Sequence, residues 1–247
     1  LTWLDNVQAI LAGAGERVCK VNDNGELVLT LYNERVVNLY DDFTALVYDE
    51  SHVFNYQYDR KTADRSPVDV WDKNRVNMFN NNQAMFYFTM LTTVPRHRDS
   101  TTDFGILPYP KYDEAQAEYH TVASPWHMTL FTVPLTAADA ERSGAVLNAL
   151  AYYGKQLLTG AYYDKTLTGQ YFRDEDSLAT LERMAATRAY DLGLYIQPAN
   201  INKELIYMFR EGSKDFASNF ASHADAAKTA LTQTDAAFSL AAESWKK

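Results

Sequence analysis

Five histidines, one cysteine and 32 acidic side chains are the groups in this chain best suited to chemistry. The histidines are His52, His97, His120, His127 and His223. None forms HExxH or the close i, i+4 pair that sets two imidazoles on one side of a metal. A metal site would have to be assembled from distant segments, and no spacing points to one. Cys19 is a lone thiol, unable to form an internal disulfide or a cysteine metal cluster. It sits in a segment that reads as strand, with no histidine beside it, and reads as a small core residue rather than a nucleophile. GxSxG, Walker A and dinucleotide glycine patterns are absent. Glycan hydrolysis needs two opposed carboxylates. Among 32 acidic residues a pair can always be named, and no spacing favours one. The expectation is a chain with no catalytic residues, no metal and no cofactor.

Two triplets, His97-Arg98-Asp99 and Asp103-Phe104-Gly105, spell the HRD and DFG signatures of protein kinases. In a kinase the metal-binding asparagine lies between them on its own loop, and a glycine-rich phosphate loop lies upstream. Neither is here, so the segment reads as a solvated basic turn entering a strand. Asn22-Asp23-Asn24-Gly25 resembles the start of a calcium loop but lacks the later ligands and the closing glutamate, and it reads as a hairpin turn. What remains is aromatic: 17 tyrosines, 12 phenylalanines and four tryptophans. Tyrosine and tryptophan pair a flat apolar face with a polar tip, which suits sugar rings as well as core packing. Tyr152, Tyr153, Tyr162 and Tyr163, on or just after a helix, read as packing.

The elements that would position these groups follow from periodicity. The opening segment is helical, with Trp3, Leu4, Val7, Ile10 and Leu11 on one face. Residues 18–31 form a hairpin about Asn24-Gly25. Asn33 caps a helix carrying Val36, Tyr40, Phe43 and Val47. Residues 50–70 are loop, and Trp71 to Phe79 is a short helix. Ala84 to Met90, Phe104 to Leu107 and Met128 to Val133 read as buried strands, the second ended by Pro108 and Pro110. Thr136 with Asp139 makes a variant capping box. Behind it a helix buries Ala140, Leu147, Leu150, Ala151, Leu157 and Leu158. Asp174 starts a helix with Leu178, Leu181 and Ala185 inward, and Asn202 to Phe209 is helical. The last helix has a stripe of Ala227, Leu231, Thr234, Phe238, Ala241 and Trp245. Helices alternating with short buried strands predict an α/β, helix-rich fold.

The 247 residues can bury one large core or two smaller ones, and the composition is globular. A formal net charge of −9 argues against nucleic acid and against anionic membrane as partners. No apolar run approaches the roughly 18–20 residues of a spanning helix.

Several segments together carry a resemblance. Phe79-Asn80-Asn81-Asn82-Gln83-Ala84-Met85 resembles the F-x-x-G-x-A-M step of family 1 extracellular solute-binding proteins of ABC importers. DFGILPYPKYDEAQ (103–116) resembles the proline-lysine segment of such proteins from Gram-positive gut bacteria. TVASPWHMTLFTVP (121–134) is similar to the family's crossing segment, and residues 141–193 to its helical region, ending in Tyr190-Asp191-Leu192-Gly193. The family's usual glycine is Asn82 here, and asparagine tolerates the left-handed backbone that the step requires.

The resemblance implies a periplasmic-binding-protein-like (type II) fold, two α/β lobes closing on a ligand by a hinge motion. It implies an incomplete two-lobe architecture in this chain: 1–108 as a second-lobe segment, 109–165 as crossing segment and first-lobe helices, 166–247 as the return to the second lobe. The N-terminal half of the first lobe would be absent, so that the isolated chain binds sugar weakly. Because the family's crossing loop faces the cleft, Ser124, Trp126 and His127 become ligand contacts or, alternatively, hinge packing. Trp71, Asn200 and Asn202 are further ligand-binding candidates. Where relatives place a sugar-stacking tryptophan, this sequence has Leu91. The implied partners are a sugar or oligosaccharide and the permease subunits, and the implied location is the cell surface of a Gram-positive bacterium, by a lipid anchor. Self-association through an open sheet edge is a further expectation. The alternatives are a glycan-acting hydrolase and a truncated family member without ligand.

Overall fold

The computed structural model describes residues 6–54, 76–97, 100–125, 127–134, 136–162 and 175–244. In chain order these form α1 (Asn6–Gly13), β1 (Cys19–Val21), β2 (Leu27–Leu29), α2 (Glu34–Val47) and α3 (Asn77–Asn80). A 3-10 helix (Leu91–His97), β3 (Thr121–Val122) and α4 (Ala140–Tyr153) follow, α4 running on as a π-helix over Gly154–Thr159. Then come α5 (Glu175–Ala186), β4 (Arg188–Ala189), α6 (Leu192–Ile196), α7 (Ile201–Glu211) and α8 (Phe216–Ser244). The fold is mixed α/β and rich in helix. No described helix is long and apolar enough to cross a membrane.

The chain divides into two compact units. Unit 1 comprises Leu1–Val70, Pro108–Pro125 and Met184–Lys247, and unit 2 comprises Trp71–Leu107 and Trp126–Arg183. Residues 71–107 thus group with 126–183.

Unit 1 is built on the hairpin and on five helices, α1, α2, α6, α7 and α8. β1 and β2 pair antiparallel, with Lys20 opposite Val28. Gly25 takes φ +84°, and the Asn22 carbonyl oxygen of the side chain accepts from the Asn24 and Glu26 amides, which closes the turn as its sequence predicted. Asn33 Oδ1 accepts from Val36 N at 2.8 Å and starts α2, whose Val36, Leu39, Tyr40, Phe43, Thr44 and Val47 are buried. Phe209 of α7 stacks on Phe43 at 5.2 Å between ring centres, and Tyr40 lies beside both Phe209 and Phe216. Leu231 of α8 closes on Cys19 and Leu27, and the Asp235 carboxylate accepts from Leu27 N at 2.8 Å. The expected stripe on α8 holds at Ala227 and Leu231, but Phe238 and Ala241 are exposed.

A parallel pair, β3 with β4, joins the ends of two distant segments, Thr121 opposite Arg188 and Val122 opposite Ala189. After β4, Asp191 caps α6 by accepting from Gly193 N at 2.9 Å, and its other oxygen accepts from Val18 N at 2.7 Å. A side chain on Gly193 would put its Cβ 2.5 Å from Val18 Cβ, so only glycine lets α6 approach β1 this closely. The Asp-Leu-Gly sequence is thus a docking device.

Unit 2 has a small core of Val94, Leu181, Leu91, Phe104 and Ile106. Ile106 N donates to the buried Ser177 hydroxyl of α5. Of the inward positions expected on α5, Leu181 is buried and Leu178 partly so, whereas Ala185 is exposed. Asp139 caps α4 through Arg142 N at 2.8 Å. None of α4's residues is buried, so the expected burial of Ala140, Leu147, Leu150 and Ala151 does not occur, nor that of Leu157 and Leu158 beyond it. The three expected buried strands, Ala84–Met90, Phe104–Leu107 and Met128–Val133, are extended or irregular instead. The reason is common to all. A strand exists only as one rail of a hydrogen-bonded ladder, a helix face is buried only by a facing layer, and among the described residues neither is present for these segments.

Candidate functional site

The segments that carry the family resemblance converge on two places. The first is the carboxyl end of β3 in unit 1. Ala123 N donates to Ala189 O at 3.0 Å, one residue past the paired Val122, and Ser124 follows. The Tyr195 hydroxyl donates to Ala123 O at 3.2 Å. Ser124 is half-buried; its Oγ is fully enclosed and, like Thr121 Oγ1, has no hydrogen-bond partner. Tyr190, at the end of β4, is exposed, while burial pushes the Tyr195 phenol above its usual range. In open parallel sheets, ligands approach at the carboxyl ends of strands. This end offers one exposed aromatic face and one enclosed hydroxyl with unused hydrogen-bonding capacity.

The six sequence-predicted ligand contacts fare differently. Trp71 and Trp126 lie outside the described residues. His127 is exposed and belongs to unit 2. Asn200 is exposed, sits at φ +57° before α7 and makes no side-chain cap. Asn202 is 1% exposed, one residue into α7, so contact with a ligand would require that helix end to move. Its Oδ1 is enclosed without a hydrogen-bond partner, so it is not bonded to Ser124.

The second place was not predicted. In unit 2, α3 ends in Asn80, and Asn82 turns the chain at φ +58°, the left-handed geometry anticipated from its type. Asn82 Oδ1 accepts from the Thr102 hydroxyl at 2.9 Å. His97, at the end of the 3-10 helix, is 4% exposed and walled by Phe79, Tyr87 and Phe104, each ring edge-on at 5.4 to 5.7 Å. The reading of this stretch as a solvated basic turn is therefore corrected at His97. Its Nδ1 pairs with Asn80 Oδ1 at 2.8 Å, which puts the proton on Nδ1 and leaves Nε2 as an acceptor. Nε2 and the Tyr87 hydroxyl are both enclosed without partners. Burial, and then Arg96, hold the imidazole below its ordinary value, so the ring is neutral. The aromatic spacing Phe79, Tyr87, Phe104 around one histidine is the sequence signal that would have found it.

Cys19 is buried in the hairpin, and burial with the Asp191 charge pushes its thiol up to about 12, which suits a core residue and not a nucleophile. Among the described residues no group of three metal-ligating side chains converges. No protein-family model matches the chain, and comparisons with curated proteins and with solved structures return no match.

Proposed function

We propose that this chain is part of the substrate-binding component of an ABC importer, with a periplasmic-binding-protein-like (type II) fold. It would take a sugar or oligosaccharide and deliver it to permease subunits at the outer face of a cell membrane. One observation carries the reading. The chain passes between its two compact units four times, and the middle two passages are at Leu107–Pro108 and Pro125–Trp126. These points fall inside the proline-lysine segment and the Ser-Pro-Trp segment, where the resemblance locates the family's crossing. Exposed Tyr190 at the end of β4 can offer a stacking face, and the enclosed Ser124 hydroxyl could serve a ligand only if the end of β3 opens.

Affinity in this chain is expected to be weak, since Asn202 is buried and the Ser124 hydroxyl enclosed. Calorimetry with an oligosaccharide panel, with product analysis of the same samples, tests the proposal. Saturable heat without product is the expected result. Sustained hydrolysis that disappears on substitution of one acidic pair would replace this reading by a glycan hydrolase.

A further inference from the structure

Among the described residues, three of the four non-glycine positions with positive φ fall in the short link between α6 and α7. Gln197 takes +50°, Ala199 +47° and Asn200 +57°. Ala199 and Asn200 are consecutive, whereas residues bearing a side chain visit this region singly. Asparagine tolerates it, but alanine and glutamine lack its short polar side chain, and each disfavours the link by roughly 5- to 30-fold in the local equilibrium. Packing holds the link in place: Pro198 is buried, Asn200 N donates to Gln197 O at 2.9 Å, and α8 lies against it. The helix that follows starts without a cap. Asn200 occupies the N-cap position of α7 and makes no side-chain hydrogen bond to the first turn. Asn202, one residue in, is 1% exposed, and its enclosed Oδ1 accepts no hydrogen bond. An enclosed amide oxygen without a donor disfavours the closed arrangement by a further factor of about 5 to 100.

We infer that residues 197–202 form a gate, closed in this structure, that opens locally by unwinding the first turn of α7 and carrying Asn202 to solvent. Three features act in the same direction. The left-handed strain at Gln197 and Ala199 is released when the link leaves this conformation. No side-chain cap holds the first turn. The Asn202 oxygen gains a hydrogen bond only outside. Burial of Pro198 and Ile201 resists the opening. Beyond the first turn the helix is anchored: Leu205, Ile206, Met208 and Phe209 are buried, and Phe209 stacks on Phe43. Unwinding therefore stops short of the global transition. Open, the gate presents the Asn202 amide, a donor and an acceptor in one planar group, which matches the hydroxyls of a polyol. The opening needs no ligand, so it stands or falls apart from the binding proposal above.

Residue-resolved hydrogen exchange of the ligand-free chain, at rising urea below the unfolding transition, tests this. Leu205 and Ile206 N–H groups donate to the carbonyls of Ile201 and Asn202 in the α7 ladder, so they exchange when the first turn unwinds, and Phe209 N–H does not. Protection at Leu205 and Ile206 should be at least about 100-fold below that at Phe209 and insensitive to low urea. Ala199→Gly keeps the closed backbone and removes its strain, so it should raise that protection about fivefold or more. Asn202→Leu fills nearly the same space without the unpaired oxygen and should raise it about tenfold. Protection at Leu205 and Ile206 equal to that at Phe209, with the same urea dependence, would overturn the proposal. So would a lower protection that Ala199→Gly, or a folded Asn202→Leu, leaves unchanged, which is ordinary fraying with nothing released. Ala199 is partly exposed, so its glycine variant decides the matter even where Asn202→Leu does not fold.

Discussion

Helix α2 in unit 1 and helix α4 in unit 2 have the same length, 14 residues. Each begins at a side-chain cap whose oxygen accepts a backbone N–H at 2.8 Å. Each carries apolar residues at helical spacing. Yet α2 buries six residues and α4 buries none. The cap and the spacing are local properties and act alike in both. Burial is not local: α2 meets α1 and α8 and, through Phe43 on Phe209, α7, whereas α4 has no residue buried by a neighbouring layer. The lesson is that an amphipathic pattern states a need for a partner and does not supply one.

The comparison can be broken most forcefully by truncating equivalent apolar side chains in the two units. Leu231→Ala in unit 1 removes a side chain that is 1% exposed and should cost about 2–5 kcal/mol in urea unfolding. Leu157→Ala in unit 2 should change stability by no more than about 0.5 kcal/mol. Equal losses would mean that α4's face is covered.

Asp191→Asn comes next. Its carboxylate accepts from Val18 N and Gly193 N, with a longer contact to Cys19 N at 3.5 Å. Loss of the charged acceptor should cost about 1.5–3 kcal/mol by the same unfolding measurement. Unit 1's polar staple is expected to outweigh its counterpart in unit 2, the turn at Asn82. There Asn82→Ala, at φ +58°, should cost about 1–2 kcal/mol, and Asn82→Gly should be close to neutral.

The smallest effect sharpens the contrast through pH. The folded His97 ring has a pKa held below the ordinary 6.5. As pH falls below 6.5, the unfolded chain takes up this proton first, so stability falls with falling pH until the buried ring itself titrates. The groups facing the ring are Asn80, Tyr87 and the cationic Arg96, and none of these compensates its charge. The urea midpoint should therefore drop more between pH 7 and pH 5 in the wild type than in His97→Gln. Identical pH profiles would contradict the neutral, walled imidazole.

The sequence made unit 1 legible because its signals are local and mutually consistent. Asn24-Gly25 demanded a hairpin, Asn33 a helix start, and Val36, Tyr40, Phe43 and Val47 a buried stripe, and each is seen. Asn82 was legible for the same reason, since its type alone sets which backbone region it tolerates. The apolar runs at 84–90 and 128–133 were misread because a strand's existence depends on a neighbour that the run does not encode. His97 was misread because its flanking arginine suggested solvent, whereas Phe79, Tyr87 and Phe104 from three separate segments enclose it. Of the predicted ligand contacts, Ser124 lies two residues past β3, half-buried and with its hydroxyl enclosed. Asn202 looked like a helix-entry contact and proved to be interior, because α7 buries its first two residues.

The central proposal, a binder that performs no chemistry, is tested most directly by residue-resolved NMR titration of the chain with maltose- and cellulose-type oligosaccharides, with product analysis at the end point. The account predicts saturable, weak binding that shifts the amides of residues 120–125 and 188–202 and leaves every glycosidic bond intact. Absence of shifts in those two segments, or accumulation of hydrolysis products, would contradict it.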